Sequence, residues 1–264
     1  MMSNITVGLR DSNPIRIGDP RGVAVSLSSA GLGGDFTVRM KIPSIDYEES
    51  KQTNLPSFGK SELYYRIEGS SDSVQLCDMI LEVLQEDRPV VSKTLKVDVL
   101  PEFCFDRMDK DFLQSICDAV DKTSDKNGTK DSISNDMIAI YDDLNFIQLM
   151  DSTNDRYLNL TPPNLVPEFG DGTKEDIAVS YLSMIRSRGY SCCLAEVDGD
   201  LFVGVSNESR SIVNISKLLD SYSFIRPSDS CQGISASVSM DLSKTVLRQH
   251  LGLLKAGSTI GYID

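Results

Sequence analysis

A chain of 264 residues is long enough for one large domain or two ordinary ones, each able to bury a core. Hydrophobic residues at 40% and charged residues at 25% give a globular composition, and no apolar run approaches the length of a membrane span. The net charge of -13 repels phosphate backbones and anionic lipid, which argues against nucleic acid or a membrane as partner, and a single histidine, His250, excludes a His-rich metal centre.

The opening, MMSNITVGLRDS, lacks the basic start and continuous apolar stretch of a signal peptide. The cysteines, Cys77, Cys104, Cys117, Cys192, Cys193 and Cys231, show no C-x-x-C spacing. They are read as reduced, packed thiols of a cytoplasmic protein. N-x-[ST] sequons at Asn4, Asn127, Asn159, Asn207 and Asn214 point the other way, and a trimmed extracellular segment would read the same.

Residues 1–102 read as strands and turns. GVAVSLSS, DFTVRMKIP and SELYYRIEG are short, rich in β-branched and aromatic residues, and separated by Gly, Pro and Ser. The stretch from Leu81 to Pro101 predicts a closing hairpin with Leu95, Val97 and Val99 inward and Lys96 and Asp98 outward. Strands at regular spacing without helices argue for an all-β immunoglobulin-like sandwich. AGLGG, residues 30–34, is a turn, because a phosphate loop would need a helix after it.

After Pro101 the apolar period changes, and residues 103–264 read as a second, α+β domain. DFLQSICDAV sets Phe112, Leu113, Ile116, Cys117 and Val120 on one helical stripe. NDMIAIYDDLNFIQLM predicts another, facing inward through Ile138, Tyr141, Leu144 and Ile147. From Thr173 a helix should bury Ile177, Ala178, Tyr181, Leu182 and Ile185 and stop at Gly189. SCCLAEV and DLFVGV then form a hairpin through Asp198-Gly199. SRSIVNIS is read as a third strand. A last helix is expected through MDLSKTVLRQHLGLLKAG, with Leu242, Val246, Leu247, Leu251 and Leu254 inward and Gly257 ending it.

The helix start GTKEDIA and its end SMIRSRGY, followed by a hairpin, carry a resemblance. Over roughly Asn135 to Pro227 the chain resembles the transglutaminase-like family of the papain-like superfamily. That family writes G-[TD]-C-x-D-x-A at the helix start and places a catalytic histidine at the start of the second hairpin strand. Gly172, Thr173, Asp176, Ala178, Arg186 and Gly189 match. The family's cysteine falls on Lys174, its histidine on Asp200, and its third member, usually Asp or Asn, on Asn214.

The resemblance therefore implies a vestigial triad with no catalytic residue. A thiolate is the nucleophile in such sites, and the positive end of a helix lowers its pKa. An ammonium faces the unfavourable end of that dipole, at about 0.3–1 kcal/mol unless a carboxylate offsets it. An ion pair between Lys174 and Asp200 is accordingly expected. The plainer alternative is that Thr173-x-x-Asp176 is a capping box and Lys174 points to solvent.

These readings lead to a non-catalytic protein- or peptide-binding scaffold without cofactor or metal. The alternative is a thiol hydrolase or transglutaminase-like enzyme with a non-standard nucleophile, either Cys192 or Cys193 with His250, or Lys174 itself.

Overall fold

A computed structural model describes residues 5–10, 14–109, 111–123, 132–152, 155–206, 215–252 and 255–259. Helices and strands are both abundant, consistent with an α+β chain. The chain divides into two compact units, 1–104 and 105–264.

In the first unit the strands are β1 (Ile5–Leu9), β2 (Ile15–Arg16), β3 (Val23–Ser29), β4 (Gly34–Ile42), β5 (Tyr47–Leu55), β6 (Lys60–Tyr65), β7 (Gln75–Gln85) and β8 (Arg88–Leu100). They form one sheet in the order β1-β3-β6 and another in the order β2-β8-β7-β4-β5. β4 shows the period of two that a half-buried strand requires: Phe36, Val38, Met40 and Ile42 are buried between more exposed neighbours. These side chains share one apolar cluster with Val25 and Leu27 of β3 and with Leu81 and Val83 of β7.

The β7–β8 hairpin starts at Gln75, earlier than its sequence expectation at Leu81. Its turn residues, Glu86 and Asp87, both have positive φ, 50° and 61°, as the twist of a tight hairpin favours. β5, YEESKQTNL, carried no sequence signal because its inward positions are mostly polar. It is an edge strand held in register along β4, with Glu48 paired to Arg39 and Lys41 across the ladder.

Asp19 ties down the start of this unit. It accepts bonds from Arg21 N at 2.9 Å, Nε at 3.2 Å and Nη2 at 2.9 Å. Burial is the largest influence on its carboxyl and acts upward, but the Arg21 bonds and the charges of Arg16 and Arg21 outweigh it and hold the group below the usual carboxylate range. A carboxyl depressed in the folded state contributes stability above its unfolded pKa, and that contribution is lost as pH falls through the folded value. Asp19→Asn is therefore expected to flatten the acid limb of urea unfolding below about pH 4 while the wild type keeps its slope. An unchanged slope would refute the assignment.

In the second unit the elements are β9 (Cys104–Asp106), α1 (Phe112–Thr123), α2 (Ile133–Asp143), β10 (Gln148–Met150), β11 (Tyr157–Asn159), α3 (Val166–Phe169), β12 (Asp171–Thr173), α4 (Lys174–Ser187), β13 (Ser191–Val197), β14 (Asp200–Ser206), α5 (Ile215–Ser221), β15 (Ser223–Ile225), α6 (Ala236–Gln249) and β16 (Lys255–Thr259). β15, β14, β13 and β16 make an antiparallel sheet in that order. α4 is its central helix and buries Ile177, Ala178, Tyr181, Leu182 and Ile185 as the sequence predicts. Two hydroxyls on the same helix tie it to its surroundings: Tyr181 donates to the Met137 carbonyl at 3.0 Å and Ser180 to the Pro163 carbonyl at 2.9 Å.

Several expectations are corrected here. α2 ends at Asp143 and Gln148–Met150 is a strand. α2 buries Met137, Ile140 and Tyr141, with Leu144 beyond its end, while Ile138 stays exposed. Both stripes obey the helical period, so only packing chooses between them. The strand expected over 209–216 lies mostly outside the described residues, and Ile215 and Ser216 open α5 instead.

α6 begins at Ala236, and its C-cap is His250. It buries Ala236, Ser239, Ser243 and Leu247 and leaves Leu242 and Leu251 exposed. Small residues on the inward face let this helix approach closely, which a search for leucines misses. Gly257 lies in β16, and Leu254 is outside the described residues.

Candidate functional site

The start of α4 is fixed from both sides. Gly172 is buried where a Cβ would come within 3.2 Å of Asp176 and 3.3 Å of Val166. A side chain there would require the Asp176 or Val166 side chain to shift by a few tenths of an ångström. Thr173 caps the helix: its Oγ1 accepts from Asp176 N at 3.2 Å, and Asp176 Oδ2 accepts from Thr173 N at 3.0 Å, a reciprocal capping box. The second oxygen of Asp176 accepts from Thr161 N at 2.7 Å. Glu175 is equally committed, taking Arg107 Nη2 at 3.0 Å and Ser152 Oγ at 2.5 Å. Both carboxylates that follow Lys174 in sequence are thus occupied elsewhere.

Opposite, the β13–β14 turn runs through Asp198 and Gly199 with φ of 51° and 79°. Two successive positive φ values give the tight hairpin that makes Asp200 the first residue of β14, paired with Val197. Lys174 Nζ donates to Asp200 Oδ1 at 2.9 Å. The capping box and the ion pair expected as rival accounts of Lys174 therefore coexist, since the cap uses Thr173 and leaves the lysine free to turn toward β14.

The pair does not stand alone. Arg226 Nη1 donates to the other Asp200 oxygen at 2.9 Å, and Arg226 Nε donates to Asp229 Oδ1 at 2.6 Å. Ser239 Oγ, from α6, donates to Asp229 Oδ2 at 2.8 Å. The result is a row of alternating sign, Lys174, Asp200, Arg226 and Asp229, running from a half-exposed mouth to a carboxylate with 1% of its side chain exposed. Burial is the largest influence on the Arg226 guanidinium and pushes its pKa down, but Asp229 and Asp200 together raise it above its ordinary value. Beside the row, Tyr141 donates to the Ile234 carbonyl at 2.9 Å. Its phenol is pushed up to about 12, first by burial and then by the charge of Asp229.

Arg226, Asp229 and Ser239 were not singled out from the sequence. Arg226 and Asp229 stand three apart in IRPSDS, a spacing that could have flagged a pair. Their link to Asp200 depends on the β14–β15 pairing and has no local signal. Asn214 lies outside the described residues. Of the other matched positions, Arg186 is buried and joins α4 to α1 through Asp121 at 2.6 Å, while its Nη1 donates to the Tyr190 carbonyl at 3.0 Å. Gly189, with φ of 83°, ends the helix in the left-handed conformation that glycine adopts without strain.

All of the cysteines but Cys231 are buried. Burial pushes the Cys117, Cys193 and Cys231 thiols up. His250 places its Nδ1 2.9 Å from the Val246 carbonyl at the end of α6.

No known protein-family model matches the chain, and no curated protein is significantly similar to it. Among the described residues, no group of three His, Cys, Asp or Glu is arranged to hold a metal, and no helix is long and apolar enough to cross a membrane.

Proposed function

We propose that residues 105–264 are a catalytically degenerate transglutaminase-like domain, that residues 1–104 are an immunoglobulin-like sandwich, and that the protein binds an extended peptide or protein segment without turning it over. The observation that carries this reading is the 2.9 Å contact between Lys174 and Asp200. It joins the first residue of the helix to the first residue of the second hairpin strand, the two positions that a thiol and an imidazole of such an enzyme would need to occupy together.

The residue types at those positions support the non-catalytic reading. Lysine and aspartate there supply neither the thiolate nor the imidazole on which such an enzyme relies. The other possible nucleophiles are poorly placed. Cys193 is fully buried with its thiol pushed up, the reverse of the electropositive, accessible setting that activates cysteine. An extended peptide can be held through backbone hydrogen bonds and side-chain pockets without being turned over.

The test is twofold. Purified protein is expected to show no hydrolysis, transamidation or ammonia release with glutamine- and lysine-containing peptides. Iodoacetamide at neutral pH is expected to label Cys231 first and slowly, since it alone is partly exposed. Amide turnover that disappears in Lys174→Ala, or rapid labelling of Cys192 or Cys193, would overturn the reading.

A further inference from the structure

Just ahead of α4, β10 and β12 form a parallel pair, with Gln148 opposite Asp171, Leu149 opposite Gly172 and Met150 opposite Thr173. Gln148 N donates to the Gly170 carbonyl at 2.9 Å, so the backbones next to Phe146 and Phe169 meet at the start of the ribbon. Among the described residues β10 pairs with β12 alone, and all three of its residues are exposed. Phe146, Leu149, Met150 and Phe169 are 58, 37, 48 and 62% exposed. A strand with one ladder neighbour offers unpaired backbone donors and acceptors, and exposed large apolar side chains gathered around it mark an interaction surface.

The charge around the strip says what kind of partner it fits. Segment 141–155 contains four aspartates and no lysine or arginine, and the strand across from it begins with Asp171, three residues after Glu168. Asp142 and Asp143 stand in the last turn of α2, which holds no basic residue. Carboxylates at a helix C-terminus oppose the macrodipole, so folding gains nothing from them there. They are suited instead to meeting positive charge from outside.

We infer that the open edge of β10 is a docking track for an extended segment that alternates apolar and basic side chains. Its backbone adds to β10, its apolar side chains cover the Phe146–Phe169 strip, and its lysines or arginines face the surrounding carboxylates. The ribbon ends with Met150 opposite Thr173, the residue before Lys174, so the track leads to the ion-paired mouth. The inference rests on the binding reading above for that end point, and it supplies the partner's chemistry.

The test uses the full chain and a short fluorescent peptide of alternating lysine and valine, blocked at both ends, with a glutamate-for-lysine peptide as control. Anisotropy is expected to show binding of the lysine peptide that weakens as salt rises. Phe146→Ser with Phe169→Ser should weaken it by at least about tenfold, and Asp142→Asn with Asp143→Asn should weaken it mainly at low salt. All four positions are exposed, so a native circular dichroism spectrum should accompany each variant.

No binding, equal binding of the glutamate peptide, or wild-type affinity in both variants would overturn the proposal. So would sedimentation showing that the strip instead joins two copies of the chain, with the dimer lost in the phenylalanine variant. Amide turnover would remove the non-catalytic reading and leave these peptide results standing, so the two failures are distinguishable.

Discussion

Arg226→Met is expected to lower the stability of the 105–264 unit by about 3 kcal/mol, seen as a fall in Tm of roughly 10 °C for a unit of this size. The cause lies in what remains. Asp229 has 1% of its side chain exposed, and without the guanidinium its charge is balanced by no cation of the row and keeps the bond from the Ser239 hydroxyl. Leaving a buried charge uncompensated costs far more than the pair contributes, whereas replacing both partners by apolar groups is often neutral.

Arg226→Met with Asp229→Leu should therefore recover most of the loss, and a double-mutant cycle should report strong coupling. Thermal denaturation of the four proteins decides the matter. Additive losses would mean that the two groups do not depend on each other.

The second large effect concerns what it takes to make the site reactive. Lys174→Cys with Asp200→His restores the two residue types of a thiol enzyme, yet this pair of changes alone is expected to leave the new thiol slow. The imidazole would stand where Asp200 now accepts from Arg226 at 2.9 Å, and a guanidinium at that distance disfavours the imidazolium needed to hold a thiolate. Removing Arg226 alone would strand Asp229, as above. The variant that should work carries four changes, Lys174→Cys, Asp200→His, Arg226→Gln and Asp229→Asn. Its thiol is expected to react with iodoacetamide at neutral pH roughly tenfold faster than that of the two-residue variant, corresponding to about one pKa unit. Equal rates would show that Arg226 does not govern the electrostatics of this position.

What the sequence made legible follows physical lines. α4, its cap and the β13–β14 turn are encoded locally: Thr173 and Asp176 satisfy each other three residues apart, and Asp198-Gly199 supplies two positive φ values. The contact between Lys174 and Asp200 follows once helix and hairpin are placed. The polar edge strand β5, the short strand β10 and the small-residue face of α6 were illegible, because what defines each is a neighbour far away in sequence. Ile138 and Met137 sit on equally periodic stripes, so periodicity could not say which was buried. The extension of the site through Arg226 to Asp229 was invisible for a related reason. Its members look like ordinary surface charges until β15 is laid beside β14.

The row that begins at Lys174 holds two positive and two negative groups in alternation. Such an arrangement cancels itself within a few ångströms and projects almost no field into solvent, while the chain as a whole carries -13. Approach of a partner is therefore governed by the acidic exterior and is weakened by salt. The mouth is sensed only on arrival, when a visiting group must displace one oxygen or one donor of Asp200, Lys174 or Arg226 to gain a foothold.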